Sequence, residues 1–468
     1  MDNNEVTSEQ LQQKFNELKQ SYNQAPAPTY QQRVEILKTL KAALLANESE
    51  IYQALKLDYG YRSEFDTLIA DILPSIAAIN YALKNLKKWM KPSKRHAGLL
   101  LAPSSVKVHY QPLGVVGVIT PWNFPVFLAL GPTIQALAAG NRVMIKLSEF
   151  TPNANGAIRQ LLSGLSDHVQ VIEGEADIGA AFSSLPFDHL IFTGSSSVGK
   201  RVAKSAAENL TPITLELGGK SPTIIDDQIK MSIAIDAIII GKSINSGQIC
   251  VAPDYIFVPQ HRQQEFVEIF IQRYREYHLK SDGDNNQTNI VNKRQYQRLI
   301  SFLDDAKEKG ATIHSVAEIE ANQQRIYPQV ITEVNADMEV MKQEIFGSLL
   351  PVMTYRNIAE VTEYINARPR PLALYIMSKN RALISHLVEN THSGGVAIND
   401  SIYHVAADDA PFGGVGNSGM GHYHGHEGFL TFSKAKTVLH SSAWLPKNRL
   451  ILKHRDLMVK VMRKVFLR

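Results

Sequence analysis

The chain contains 468 residues, of which 44% are hydrophobic, and a single cysteine. This length predicts two or three domains with large buried cores. One cysteine excludes an intramolecular disulfide scaffold and a zinc site built from several cysteines. Residues 447–468, the basic tail, contain eight Lys or Arg and one Asp, a net charge of +7, so the rest of the chain carries −3 of the total of +4. This distribution argues against a nucleic-acid-binding body.

The N-terminal hundred residues are helical in pattern. They begin with a polar stretch that lacks an apolar run of signal-peptide length, so we expect no export and a cytoplasmic protein. Apolar residues then recur three and four apart in three stretches, which are QLQQKFNELKQ, YQQRVEILKTLKAALLANESEIYQAL and LPSIAAINYALKNLKKWM.

The next segment could be mistaken for a membrane span. Residues 111–141 contain no charged side chain, and the stretch is long enough to cross a bilayer. Four prolines and four glycines within it would leave backbone groups unpaired in lipid. We therefore expect a buried strand in LGVVGVI, a loop, and a helix in PTIQALAAG.

From residue 105 onward, short apolar runs alternate with helices, as in parallel sheets with helical crossovers. The first series of runs is GVVGVIT, RVMIKLS, VQVIEG, HLIFTG and PITLELGG. After Cys250 a second series follows, which is DYIFVP, TIHSV, YPQVITEV, LLPVMTY, LALYIMS and GVAIND. The sequence therefore predicts an α/β fold with two Rossmann-like lobes.

A glycine turn follows one of these strands in HLIFTGSSSVGKRVA, where backbone N–H groups and a helix dipole can hold a phosphate. A P-loop is excluded because Arg201 stands where a Ser or Thr must bind magnesium. The dinucleotide fingerprint fits partly, since Ser196 replaces its middle glycine. A plain glycine-rich helix start explains the turn equally well. Lys146 and Glu149 lie where ribose-binding groups belong in a parallel sheet.

Cys250 itself, in NSGQIC, has two interpretations. It is either an incidental small buried side chain, the commoner fate of a cysteine, or a nucleophile. If the two lobes meet near residue 245, Cys250 lies in the crevice between them, which is a favoured place for a substrate.

Eight motifs taken together resemble the aldehyde dehydrogenase superfamily, in family order and up to about residue 440. They are TPWNFP (120–125), IKLSE (145–149), FTGSSSVG (192–199), LELGGKSP (215–222), NSGQIC (245–250), EIFGSLLPV (344–352), GGVAIND (394–400) and PFGGVGNSGMG (411–421). The short N-terminus and PFGGVGNSGMGHYHG resemble the class 3 branch, and HVAADDAPFGGVGNSGMGHYHGHEGF is most similar to its bacterial coniferyl aldehyde dehydrogenases.

The resemblance implies a role for three residues in catalysis. Cys250 is expected to be the nucleophile that forms a thiohemiacetal and then a thioester. Asn123 is expected to form an oxyanion hole with the backbone N–H of Cys250. Glu216 is expected to be the general base that activates water to release the acid.

The resemblance also implies a bound nicotinamide dinucleotide and no metal. The expected contacts are Lys146 and Glu149 for the adenine ribose, Gly194, Ser195 and Gly199 for the pyrophosphate turn, and Glu344 and Phe346 for the nicotinamide ribose. A Glu at position 149 favours NAD, whereas class 3 relatives often accept NADP as well. We therefore expect NAD, with NADP as the alternative.

The resemblance further implies domain boundaries, written here as expectations. They are N-terminal helices that join the cofactor-binding domain (1–104), a dinucleotide-binding domain (105–218), a catalytic domain with Cys250 (219–415), a strand-bearing oligomerisation arm (416–446) and the basic tail (447–468). We expect a homodimer in which GFLTFSKAKTVL belongs to the interface, and an apolar, aromatic aldehyde of the coniferyl type as substrate.

Other interpretations compete with these. A long-chain fatty aldehyde is the alternative substrate, and a cysteine hydrolase is the alternative enzyme, although no histidine lies near NSGQIC to serve as its base. The alternating histidines of HYHGH could share a face and bind a metal, but their glycines favour a surface turn. The basic tail predicts an amphipathic helix that either lies on an anionic inner membrane face or packs on the protein.

Overall fold

A computed structural model describes residues 7–279, 286–444 and 446–467. Its strands are β1 (Ser93–Arg95), β2 (Ser105–Pro112), β3 (Val115–Ile119), β4 (Arg142–Lys146), β5 (Val169–Ile172), β6 (His189–Gly194), β7 (Ile213–Leu217), β8 (Pro222–Ile225), β9 (Tyr255–Pro259), β10 (Thr312–Ser315), β11 (Gln329–Thr332), β12 (Leu349–Tyr355), β13 (Ala373–Met377), β14 (Gly395–Ile398), β15 (Gly419–Met420) and β16 (Ser433–His440).

Its α-helices surround these strands. They are α1 (Ser8–Gln24), α2 (Tyr30–Ala46), α3 (Glu48–Asp58), α4 (Glu64–Thr67), α5 (Leu73–Trp89), α6 (Pro125–Ala139), α7 (Pro152–Leu162), α8 (Ala176–Ser183), α9 (Ser196–Glu208), α10 (Met231–Ser243), α11 (Gln263–His278), α12 (Lys293–Glu308), α13 (Glu339–Lys342), α14 (Ile358–Asn366), α15 (Arg381–Asn390), α16 (Gly425–Thr431), α17 (Lys447–Lys453) and α18 (Arg455–Phe466).

Two sheets confirm the predicted α/β fold. The first has the strand order β15-β7-β6-β3-β4-β5, and its strands are parallel except for β15. The second has the order β10-β11-β12-β9-β8-β13-β14, and its strands are parallel except for β10. Central strands such as β4, β9 and β13 are buried along their whole length. Such strands read as continuous apolar runs because helices cover both faces of a parallel sheet.

A third sheet differs from the expected organisation. The strands β1, β2 and β16 form an antiparallel sheet in which β2 pairs with β16 along all eight residues of each strand. β2 was assigned to the dinucleotide-binding domain and β1 to a helical region, but both pair outside the first sheet. The domain boundaries themselves, and the oligomeric role of the segment 416–446, stay predictions.

The apolar segment at 111–141 folds as expected, with one difference. β3 and α6 occupy it, but α6 begins at Pro125 and carries Pro132 inside, whereas the prediction began the helix at Pro132. By length and composition, a different helical stretch, Glu64–Trp89, is long and apolar enough to cross a membrane, and 44% of its apolar window is buried inside the protein. Its inward residues Ile79, Ala82 and Leu86 are fully buried in the core with α6.

A buried ion pair connects the N-terminal helices to the first sheet. Arg62 Nη2 lies 2.6 Å from Asp71 Oδ2, and neither side chain is exposed. Asp71 Oδ1 accepts hydrogen bonds from the backbone N–H groups of Val126 and Phe127 at 3.0 Å each. These groups belong to the first turn of α6, where free N–H groups and the helix dipole favour a carboxylate. Arg62 Nη1 also donates to the backbone carbonyl of Asn123 at 2.8 Å.

This pair generates a stability prediction. Arg62→Leu leaves the Asp71 carboxylate buried without its cation, which typically costs about 3–5 kcal/mol. The matched control Lys342→Ala removes an exposed ion pair with Glu339, in which the Lys342 side chain is 48% exposed, and should cost about 0–1 kcal/mol. Urea unfolding followed by circular dichroism compares the two variants, and equal losses of stability would contradict the role given to Arg62.

Candidate active site

Cys250 follows a strained turn at the end of α10. Asn245, Ser246 and Gly247 all have positive φ, at 50°, 55° and 71°. This region favours Gly and tolerates Asn, whereas Ser occupies it at a cost. A Cβ on Gly247 would lie 2.6 Å from the carbonyl oxygen of Gly347, so a side chain does not fit there. The strained turn therefore requires surrounding contacts that hold it in place.

Buried hydrogen bonds supply those contacts. Asp66 Oδ2 accepts from the backbone N–H of Asn245 at 3.0 Å, and also from the hydroxyl of Thr288. Asn245 Nδ2 donates to the backbone carbonyl of Asn123 at 3.1 Å, and Gln248 Nε2 donates to the carbonyl of Asn245 at 2.9 Å. All of these side chains are at least 95% buried. The network joins the turn before Cys250 to the loop that carries Asn123.

Cys250 is partly buried and lines two cavities of about 310 Å³ each. The apolar cavity has walls that include Ile69, Leu73, Phe124, Phe127, Leu128, Ile249, Val251, Ile402, Val405, Phe412 and Tyr423. The polar cavity has walls that include Trp122, Asn123, Gly194, Ser195, Glu216, Gln295, Arg298, Glu344 and Phe346. The cysteine thus lies where an apolar compartment meets a polar one.

The polar cavity brings together most of the residues singled out in the sequence. Seven line it, namely Cys250, Glu216, Asn123, Gly194, Ser195, Glu344 and Phe346. Lys146, Glu149 and Gly199 do not line it. Lys146 ends β4, next to β3 in the sheet, and its Nζ donates to the carbonyl of Leu147 at 2.8 Å. Glu149 is half-buried in the loop that follows β4.

Glu216, on β7, is a desolvated carboxyl group. It is 4% exposed, and neither of its side-chain oxygens has a hydrogen-bond partner among the described residues. Burial raises its pKa well above the ordinary value of 4.5. A carboxylate that is buried away from water and accepts no hydrogen bond binds a proton strongly. Glu216 is therefore suited to accept a proton from water at the cavity.

The environment of Cys250 disfavours ionisation of its thiol in the unliganded protein. Burial raises its pKa to about 12, and the charges of Glu344 and Glu216 add to the effect. The thiol therefore holds its proton at neutral pH in this state. Ionisation requires a bound group that changes this electrostatic balance or a base that takes the proton.

Asn123 is held by its backbone and offers its amide to the cavity. The side chain is 2% exposed, and its Nδ2 donates to the carbonyl of Gln248 at 3.1 Å. In the described structure this is the hydrogen bond that Nδ2 makes, and the group carries two N–H donors. The second N–H is available to an oxygen atom bound next to Cys250.

Groups at the two ends of the polar cavity suit the phosphate and the ribose of a dinucleotide. Ser195 caps α9 by accepting from the N–H of Val198, and a Cβ on Gly199 would lie 2.7 Å from the side chain of Leu217, so α9 packs closely on β7. Such a helix start suits a phosphate. At the other end, Glu344 Oε1 is buried without a partner, and burial raises the pKa of Glu344 to about 8. A carboxyl group with one such unpaired oxygen matches a ribose hydroxyl.

Several positioning residues were missed by the sequence analysis. Arg298 donates to the carbonyls of Glu344 and Ile345, at 3.1 Å and 2.6 Å. Asp254 Oδ2 accepts from the N–H of Ile345 at 2.9 Å and its other oxygen pairs with Lys220. Lys220 follows directly on LELGG and Asp254 lies four residues after Cys250, so proximity to the motifs is the signal that could have drawn attention to them.

The histidines of HYHGH correct one expectation. His424 was assigned to a surface turn, but it is 8% exposed and stacks on Phe412, with ring centroids 5.2 Å apart. Burial lowers its pKa to about 4, so the ring is neutral at neutral pH. Packing against aromatic rings of the apolar cavity outweighs the polarity of the local sequence. Among the described residues, no group of three or more His, Cys, Asp or Glu is arranged to bind a metal ion.

Known proteins share this architecture along nearly the whole chain. The model of the aldehyde dehydrogenase family matches residues 2–438. The chain is 52% identical over 432 residues to the "probable coniferyl aldehyde dehydrogenase" of Pseudomonas aeruginosa, covering 92% of this chain and 90% of that protein.

Solved structures agree with the sequence comparison. The substrate-bound state of Staphylococcus aureus AldH superimposes with a TM-score of 0.89 at 36% identity, covering 93% of this chain and 95% of that one. The Mycobacterium tuberculosis aldehyde dehydrogenase complexed with NAD+ superimposes with a TM-score of 0.85 at 26% identity, covering 94% and 92%. The chain belongs to the aldehyde dehydrogenase family and is an oxidoreductase that acts on aldehydes.

Proposed function

We propose that this aldehyde dehydrogenase oxidises apolar, aromatic aldehydes of the coniferyl type to carboxylic acids, through a thiohemiacetal and a thioester on Cys250. The observation that carries the proposal is the position of Cys250 between the apolar cavity and the polar cavity that holds Glu216. The name of the Pseudomonas aeruginosa relative supports the substrate class.

The first step joins Cys250 to the aldehyde. The thiol gives its proton to solvent water, and the sulfur attacks the carbonyl carbon, so that a carbon–sulfur bond forms as the carbon–oxygen π bond opens. The carbonyl oxygen becomes negatively charged, and the second N–H of Asn123 and the backbone N–H of Cys250 stabilise it. Removing one such donor typically costs about 10²–10³ in rate.

The second step requires a hydride acceptor, then water. A bound nicotinamide dinucleotide would accept the hydrogen of the former aldehyde carbon as hydride, as the carbon–hydrogen bond breaks and the oxyanion closes to a carbonyl group. Cys250 then carries the acyl group as a thioester. Glu216 takes a proton from water, the resulting hydroxide attacks the acyl carbon, and the carbon–sulfur bond breaks to release the acid and the Cys250 sulfur. The unpaired, desolvated oxygens of Glu216 support this assignment.

The walls of the apolar cavity support a flat aromatic substrate. Phe124, Phe127, Phe412 and Tyr423 contribute rings to it, and His424 adds a neutral imidazole. Aromatic pairs contribute about 0.5–1.5 kcal/mol each beyond the area they bury. A long alkyl chain gains no such aromatic stabilisation, so these walls favour aromatic aldehydes over fatty aldehydes.

We infer NAD as the preferred cofactor, with NADP as the alternative. The residues that would hold it are Lys146, Glu149, Gly194, Ser195, Gly199, Glu344 and Phe346. A carboxylate at position 149 repels a 2′-phosphate, which supports the preference for NAD.

We also infer a cytoplasmic homodimer that pairs through the arm 416–446, where the residues of β16 beyond Ser433 are exposed in the single chain. Light scattering in the vesicle experiment below measures the oligomeric state.

Two variants separate the steps kinetically. Cys250→Ala should abolish oxidation and retain cofactor binding, because it removes the nucleophile alone. Glu216→Gln should retain a first burst of NADH and then turn over slowly, because hydride transfer precedes its step.

In the native enzyme kcat should also fall as the pH falls through the raised pKa of Glu216, since the protonated carboxyl cannot accept a proton. Stopped-flow absorbance measures each rate.

Two results would contradict this mechanism. Loss of the burst in Glu216→Gln with normal cofactor binding would show that Glu216 does more than deacylate. Oxidation of an aldehyde to the acid requires an electron acceptor, so hydrolysis of an ester with no NADH formed from any aldehyde would identify the alternative, a cysteine hydrolase.

A panel of aldehydes tests the substrate class. We expect kcat/KM to be higher for coniferaldehyde and benzaldehyde than for hexanal and hexadecanal. Phe127→Leu should lower kcat/KM for coniferaldehyde by about two- to ten-fold and leave hexanal nearly unchanged, because one aromatic contact is lost. A preference for hexadecanal that Phe127→Leu leaves unchanged would favour the fatty aldehyde alternative. Reaction with short charged aldehydes alone would contradict both.

A further inference from the structure

The basic tail is helical, as expected, and lies outside every core. α17 and α18 contain no buried residue. The residues of α18 lie at about 100° intervals around the helix axis, so its apolar side chains cover an arc of about 200°. This apolar arc consists of Leu457, Met458, Val459, Val461, Met462, Val465 and Phe466. α18 therefore buries no described side chain fully against the body, whereas the alternative expectation for the tail was packing on the body or on a partner subunit.

The opposite side of α18 is cationic. Lys460, Arg463 and Lys464 lie there, and Asp456 is the one acidic residue of the tail. On the helical wheel Arg455 lies within the apolar arc, and the other basic residues of α18 form a positive face beside it. Such a division is typical of helices that lie in the interface of a membrane.

The exposed apolar arc needs a covering surface. Five of these seven side chains are exposed, among them Leu457 at 59% and Val459 at 50%, and Met458 and Met462 are half-buried. Isolated exposed apolar residues need no explanation, whereas contiguous ones mark an interaction site. The occupant must accept both the apolar arc and the cations beside it.

The positive charge of the basic tail determines which kind of surface can cover the apolar arc. A second copy of the tail would bring another net charge of +7 against the first, and like charges repel. An anionic lipid surface attracts the same cations and accepts the apolar arc between its acyl chains. Trp444, three residues before the tail, is 95% exposed, and tryptophan prefers the membrane interface.

Length excludes a spanning helix. α18 has 12 residues, or about 18 Å, and α17 has 7 residues, against a hydrocarbon core of about 30 Å. We propose that the basic tail binds an anionic membrane surface, with α18 in the plane of the interface. Its apolar arc enters the lipid, and Lys460, Arg463 and Lys464 contact the headgroups.

Sedimentation with lipid vesicles tests the proposal. The full chain is mixed at low salt with vesicles of phosphatidylcholine alone or with added phosphatidylglycerol. We expect binding to the anionic vesicles, loss of that binding at high salt, and little binding to the neutral ones. Val461→Ser/Val465→Ser, which keeps the charge and removes apolar area, should weaken binding by about ten-fold or more. Truncation after Trp444 should abolish it.

A matched control separates the tail from general surface stickiness. Leu57→Ser removes an apolar side chain that is 68% exposed on α3, and it should bind as the full chain does. Aldehyde oxidation by every variant reports correct folding. Equal sedimentation of the full chain, the double variant and the truncated chain would overturn the proposal. So would a double variant that changes the oligomeric state in light scattering while binding vesicles normally, since the apolar arc would then be a subunit interface.

Discussion

Two buried carboxylates of the N-terminal region fix the backbone on which the candidate active site is built. Asp66 accepts from the backbone N–H of Asn245, in the strained turn that leads to Cys250. Asp71 holds Arg62, which donates to the backbone carbonyl of Asn123. Each acid therefore acts on one side of the site. The N-terminal helices, which contribute no proposed catalytic group, supply the constraint that keeps nucleophile and oxyanion-hole amide together.

Desolvation gives this arrangement its chemical character. Burial raises the pKa of both Cys250 and Glu216, so the unliganded site holds a protonated thiol and a carboxyl group with high proton affinity. The thiolate is therefore disfavoured in the unliganded protein. The same exclusion of water strengthens each hydrogen bond that the site offers to developing charge. Cys250 lies between an apolar cavity, which suits the side chain of an apolar aldehyde, and a polar cavity, which contains Glu216.

Local sequence was sufficient for some features and insufficient for others. Buried parallel strands are continuous apolar runs, so β9, β12 and β13 were predicted from DYIFVP, LLPVMTY and LALYIMS. The Asp66–Asn245 contact joins residues 179 positions apart, and β2 pairs with β16 across more than 300 residues. Such contacts depend on tertiary folding, and no local pattern encodes them. His424 shows the same limit, because its polar neighbours gave no sign of the aromatic rings that bury it.

The covalent role of Cys250 can be measured directly, because no other cysteine competes with it. Glu216→Gln is mixed with coniferaldehyde and NAD, quenched in acid, and its intact mass is determined. The account predicts the added mass of one acyl group, located on the peptide that contains Cys250, removed by hydroxylamine and absent from Cys250→Ala. Burst formation of NADH without this adduct, or an acyl adduct on another residue, would contradict the account.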